Sequence, residues 1–257
     1  MSLSLENLPS GLWRASELAQ GQGQVRATGF TELDRELPGG GWPVGALAEL
    51  LPARAGIGEL RLLLPALAAL TRTGKPVVMI APPHLPYAPA LAGAGLDLRH
   101  LVIVHAPPQS GVASPQAADD LWAAEQALKS ASCGAVLAWL PQARSDQLRR
   151  LQLAAAGGDA LAWIVRQPQA LASSSPAPLR LALEPAPGSG LLIHFHKRRG
   201  PARSMPLRLD LPAHHPKLGS PRPGTALSLD SGGLHALLDC TALTLAHPRN
   251  LPAGLAA

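Results

Sequence analysis

Residues 28–67 read TGFTELDRELPGGGWPVGALAELLPARAGIGELRLLLPAL, and this stretch decides the fold. An apolar run at 46–51 is followed by two glycines, Gly56 and Gly58, and then by a leucine- and alanine-rich stretch that ends at Gly74. A run of about six apolar residues has the length of a buried strand, and glycine commonly ends a helix. The stretch therefore predicts a strand, a glycine turn and a helix.

The same alternation continues along the chain. Apolar runs of strand length occupy residues 46–51, 76–81, 101–105, 135–140 and 161–165. They are almost uninterrupted in apolarity, which is typical of parallel strands covered on both faces. Helical patterns at 59–73, 117–131 and 145–156 lie between them. The series predicts an α/β fold with a mainly parallel sheet flanked by helices.

The pattern changes in the last third of the chain. Three strand patterns at 179–183, 191–196 and 206–211 are joined by proline and glycine turns and predict an antiparallel extension of the sheet. Residues 168–178 predict a flexible loop. We predict three regions, an N-terminal segment at 1–27, a core at 28–212 and a proline- and glycine-rich, largely disordered tail at 213–257.

The N-terminal segment has a short helical pattern with three apolar residues, Leu12, Trp13 and Leu18. We interpret these residues as a docking helix. Two docking sites are open to it, a neighbouring protein chain and the core of this chain.

Charge and cysteine content limit the classes of function. The 257 residues have a net charge of +5, which permits contact with nucleic acid but does not require it. Cys133 and Cys240 are interpreted as reduced thiols of an intracellular protein. The sequence shows neither a signal peptide nor an apolar run long enough to span a bilayer. We therefore expect a cytoplasmic protein that does not enter a membrane.

The stretch 28–45 resembles the leader that precedes the phosphate loop in the RecA and RadA recombinases, TGF-x-x-LD-x-x-L-GGG-x-P-x-G. The matching residues are Thr28, Gly29, Phe30, Leu33, Asp34, Leu37, Gly39, Gly40, Gly41, Pro43 and Gly45. The resemblance implies a RecA-like P-loop NTPase core, with the phosphate loop G-x-x-x-x-G-K-[ST] at 53–60. Here Gly56 and Gly58 keep the backbone freedom of that loop, but Ala53, Glu59 and Leu60 replace its first glycine, its lysine and its hydroxyl residue.

The replaced residues are the ones that the chemistry needs. The lysine of such loops binds the β- and γ-phosphates, and the hydroxyl binds magnesium. A carboxylate of Glu59 placed 4 Å from a phosphate charge is repelled by about 4 kcal/mol at an effective dielectric of about 20. Pro83 stands where the resemblance implies a catalytic glutamate, and the strand pattern 135–140 lacks the aspartate for magnesium. We therefore predict no catalytic residue, no cofactor, no metal site and no ATPase activity.

Residues 12–211 as a whole resemble the ImuA family, RecA- and SulA-like accessory proteins of bacterial translesion DNA synthesis. The matching features are Leu12-Trp13-Arg14, the GGGWP segment, the altered loop and the KRRGP segment at 197–201. The resemblance implies an SOS-induced protein that contacts an ImuB-like Y-family protein, RecA and an error-prone replicative-type polymerase. The sequence permits contact with DNA, directly or through these partners, and does not require it. A SulA-like division inhibitor and an active RecA-type ATPase are the alternatives.

A basic cluster follows the strand pattern 191–196. It consists of Lys197, Arg198, Arg199 and Arg203. Such a cluster binds DNA phosphates or an acidic partner surface, and it is equally typical of a solvated turn. It is the candidate contact surface for DNA or a partner protein.

Overall fold

The computed structural model describes residues 23–105 and 116–212. The strands in this part of the chain are β1 (Val25–Arg26), β2 (Trp42–Pro43), β3 (Leu47–Pro52), β4 (Val77–Ile80), β5 (Leu101–Val104), β6 (Ala135–Trp139), β7 (Leu161–Val165), β8 (Leu179–Pro185), β9 (Gly190–Lys197) and β10 (Leu207–Asp210). The α-helices are α1 (Thr31–Glu36), α2 (Glu59–Arg72), α3 (Ala88–Gly93), α4 (Gln116–Lys129) and α5 (Ser145–Ala156). Short 3₁₀ helices occupy Leu98–His100 and Pro168–Ala172.

Eight of the strands form one mixed sheet in the order β10-β9-β8-β3-β7-β6-β4-β5. The pairs from β8 to β5 are all parallel, whereas β9 and β10 pair antiparallel. The predicted α/β fold with a mainly parallel sheet is confirmed. One detail differs, because the first strand of the predicted antiparallel extension, β8, is itself parallel to β3.

Helices cover the sheet on both faces. Side chains alternate along β3, so that Ala48 and Leu50 face one apolar cluster with α2, while Leu47 faces another with α4 and α5. Leu67 of α2 and Leu151 of α5 are fully buried in these two clusters. The sheet is therefore the shared wall of two cores.

Several residues of the leader, residues 28–45, have packing roles. Asp34 accepts a hydrogen bond from the backbone amide of Thr28 at 2.8 Å, which closes the turn before α1. Gly29 has φ +90°, and a Cβ there would lie 2.3 Å from Cβ of Pro65 in α2. Trp42 is fully buried and packs edge-on against Trp163 of β7, with ring centroids 5.6 Å apart. The leader thus packs against both α2 and the sheet.

Two segments have regular structure that the sequence patterns did not predict. Regular structure begins before residue 28, because β1 pairs with β2. Residues 168–178 contain a 3₁₀ helix and are held by side-chain hydrogen bonds, so the prediction of a flexible loop is wrong. The predicted docking residues Leu12, Trp13 and Leu18, the tail 213–257 and Cys240 lie outside the described residues. Within the part that is described, no helix is both long and apolar enough to cross a lipid bilayer.

Candidate functional site

The glycine loop, residues 53–58, connects the carboxyl end of β3 to the first turn of α2. Gly56 and Gly58 have φ values of +79° and +119°, which residues with a Cβ rarely adopt. The loop therefore turns the chain sharply, so that the amino terminus of a 14-residue helix points at the end of the sheet. A helix end of this kind attracts negative charge.

The carboxylate of Glu59 already occupies this position. Its Oε1 accepts a hydrogen bond from the amide of Gly56 at 2.9 Å, and its Oε2 accepts one from the amide of Gly58 at 3.1 Å. The residue is only 6% exposed, and the half-buried Leu60 packs against the apolar cluster beneath α2. The residue that replaces the expected lysine thus turns back on the loop and satisfies its amides from within the chain.

The end of β10 covers the same loop. A Cβ at Gly58 would lie 2.8 Å from Cδ1 of Leu211, which is buried. The Arg61 guanidinium donates hydrogen bonds to the carbonyls of Leu211 and Pro212 at 2.8 and 2.7 Å, and the Ser189 hydroxyl also donates to that of Leu211. The hydrogen bonds from Arg61 therefore connect residues 211 and 212 to the first turn of α2.

The two other positions where a catalytic acid is expected, residue 83 and the end of β6, carry none. Pro83 and His84 follow β4 and are exposed, and β6 ends at the half-buried Trp139. His194 lies 3.6 Å from a carboxylate oxygen of Glu184, on the exposed side of the sheet. Within residues 23–105 and 116–212, no three His, Cys, Asp or Glu side chains converge as metal ligands would.

A buried ion cluster is the feature that sequence reasoning missed. Glu49 of β3 has no exposed surface and accepts a hydrogen bond from Arg180 Nε of β8 at 2.9 Å, and Nη1 of Arg166 lies 3.6 Å away. The Ser175 hydroxyl also donates to Glu49. The one signal was an acid inside an otherwise apolar strand pattern.

The two arginines of this cluster also form hydrogen bonds to the loops at the carboxyl ends of β6 and β7. Arg180 donates to the carbonyls of Ala170 and Ser173 at 2.7 and 3.1 Å, and Arg166 donates to that of Ala143 at 2.5 Å. Burial lowers the pKa of Arg166, because desolvation disfavours its charged form. The cluster fixes the segments that follow β6 and β7.

The basic cluster divides into two kinds of residue. Arg198 and Arg203 both pair with the Glu36 carboxylate, and their guanidiniums lie 5.1 and 5.9 Å from the centre of the Phe195 ring. Lys197 and Arg199 are exposed, although Nζ of Lys197 donates to the Ser175 carbonyl at 2.8 Å. Only part of the predicted contact surface therefore presents its charge to solvent.

The fold and this site define an α/β protein with a mostly parallel sheet and a glycine loop closed by its own carboxylate. Neither the protein-family models nor the curated proteins contain a match to the sequence.

Proposed function

We propose that this protein is a non-catalytic accessory protein with a RecA-like fold that acts in SOS-induced translesion DNA synthesis. It works through protein contacts with an ImuB-like Y-family protein, RecA and an error-prone replicative-type polymerase. The support for the pathway is the resemblance of residues 12–211 to the ImuA family. The support for the fold assignment is the mostly parallel sheet with a glycine loop between β3 and α2.

One observation carries the non-catalytic part of the proposal. The Glu59 carboxylate accepts hydrogen bonds from the amides of Gly56 and Gly58, in the loop that would cradle a phosphate. A nucleotide has to displace this carboxylate and also tolerate its charge. Leu211, packed on Gly58, adds a second obstacle.

The first test is the binding and turnover of ATP in the presence of magnesium. We expect the wild-type chain to show neither in equilibrium dialysis and phosphate release. Glu59→Lys should not create activity, because Leu60 supplies no oxygen for magnesium and Pro83 no base. Magnesium-dependent turnover by the wild-type chain would overturn the proposal.

The second test addresses the pathway. The tagged chain is recovered from DNA-damaged cells with its bound partners, alongside a Lys197→Glu variant as a probe of the exposed basic position. Recovery of an ImuB-like protein or RecA supports the proposal. Recovery of the tubulin-like division protein without either of these contradicts it and favours a SulA-like inhibitor.

A further inference from the structure

A small groove lies where the described part of the chain begins. Its walls include Gln24 and Val25 of the β1 region, Val44 after β2, Ala156 of α5 and Arg199 after β9. Its volume is about 280 Å³. Small-molecule sites occupy roughly 300–1,000 Å³, so the groove suits one or two inserted side chains better than a free ligand.

The described part of the chain begins at this groove. Gly23 and Gln24 are part of its wall, and the Gln24 carbonyl accepts a hydrogen bond from the amide of Val44 at 2.9 Å. Pairing of Val25 with Pro43 holds the same segment in place. Gly23 is five positions after Leu18, and an extended chain of five Cα–Cα steps spans at most about 18 Å. Residues 12–18 are thus within reach of the groove.

Composition matches on the two sides, and one acid is available to Arg199. The segment has the apolar residues Leu12, Trp13 and Leu18, one base, Arg14, and one acid, Glu17, so its net charge is zero. The groove is lined mainly by apolar residues and has Arg199 at its edge. Among the described residues Arg199 forms no ion pair, in contrast to Arg198 and Arg203, which pair with Glu36.

We propose that this groove is the docking site of the chain's own residues 12–18, with apolar side chains inserted and Glu17 beside Arg199. The contact is within one molecule. It makes Arg199 a structural residue of the groove and leaves Lys197 as the exposed member of the basic cluster.

Hydrogen exchange of the full-length chain tests the proposal. The probes are the amides of Val44 and Gly45, which donate to the carbonyls of Gln24 and Ala160 at 2.9 and 3.1 Å. We expect Trp13→Ser and the groove-filling Ala156→Arg each to speed exchange at these amides about tenfold, because the first removes an inserted side chain and the second displaces the segment, and both leave the groove wall freer to fluctuate. The matched control is Leu153→Arg, an exposed position on another side of α5, which should leave exchange unchanged.

The double variant separates docking from local damage to α5. If the segment occupies the groove, Trp13→Ser combined with Ala156→Arg should exchange no faster than either single variant. Unchanged exchange in Trp13→Ser overturns the proposal. Protection that rises with protein concentration, together with a dimer in sedimentation, also overturns it, because the segment would then come from a second copy.

Discussion

Glu59 shows how one side chain satisfies the loop that precedes it. The glycines still turn the chain from β3 into α2, and the helix end still attracts an anion. The anion at this helix end is the carboxylate of Glu59, the first residue of α2, and it is almost buried. The amides of Gly56 and Gly58 therefore have their hydrogen-bond partner within the chain.

Glu49 is a second residue whose surroundings decide its role. One carboxylate is shared by two guanidiniums, and none of the three side chains is more than 7% exposed. Removing one partner of a buried ion pair leaves a charge that neither water nor protein compensates. The cost of losing Glu49 should therefore exceed that of losing any surface pair.

We predict that Glu49→Gln lowers the free energy of unfolding by about 3–5 kcal/mol. The measurement is urea denaturation followed by circular dichroism. The control is Asp210→Asn, which removes an exposed partner of Arg208 and should cost less than about 1 kcal/mol. Equal costs for the two variants would show that the buried cluster does not stabilise the fold.

At the scale of elements, α1 is joined to the segment after β9. Glu36 is the last residue of α1, and its carboxylate pairs with both Arg198 and Arg203. Hydrogen bonding and charge from Arg203, and then from Arg198, lower the pKa of Glu36 against the opposing effect of burial. Two residues of the predicted basic contact surface, Arg198 and Arg203, thus connect the segment after β9 to α1.

This link makes stability depend on pH. A carboxyl group with a lowered pKa stabilises the fold above its ordinary value of 4.5 and loses that contribution as the pH falls through its folded value. We predict that Glu36→Gln is less stable than wild type by about 1 kcal/mol at pH 7, and that the difference shrinks in acid. Thermal unfolding between pH 7 and pH 3 measures it. The comparison variant is Glu32→Gln, on the exposed side of α1.

The elements themselves were predicted unevenly. The patterns at 145–156 and 161–165 coincide with α5 and β7. In such amphipathic or apolar runs the spacing of the apolar residues is enough to predict the type of secondary structure. The six-residue helices α1 and α3 have no counterpart in the sequence predictions. Helices this short are unstable in isolation, and only packing against the core maintains them.

At the scale of the whole molecule, two cores share one sheet. Leu67 and Leu151 are buried on opposite faces, yet the strands between them belong to both clusters. A substitution that weakens packing on one face of the sheet therefore also destabilises the strands that line the core on the other face. The described core should unfold as one unit.

We predict that Leu67→Ala and Leu151→Ala each cost about 2–5 kcal/mol, because each leaves a cavity in a packed core. Far-ultraviolet circular dichroism and tryptophan fluorescence should report the same single transition in both variants. Leu153→Ala, at a position 69% exposed on α5, is the control and should have little effect. Separate transitions for the two signals would show that the faces unfold independently.

The sequence by itself determined the alternation of the longer strands and helices from β3 onward, the glycine turn after β3 and the presence of Glu59 and Leu60 at the start of α2. These are local properties, readable from periodicity and residue type. Only the tertiary structure decided that Glu59 closes its own loop and that Leu211 covers it. It also decided that Glu49 meets Arg180, 131 residues later, and that Glu36 pairs with Arg198, 162 residues later. Such pairs are invisible to local patterns, because only the folded sheet brings residues so far apart in the chain within hydrogen-bonding distance.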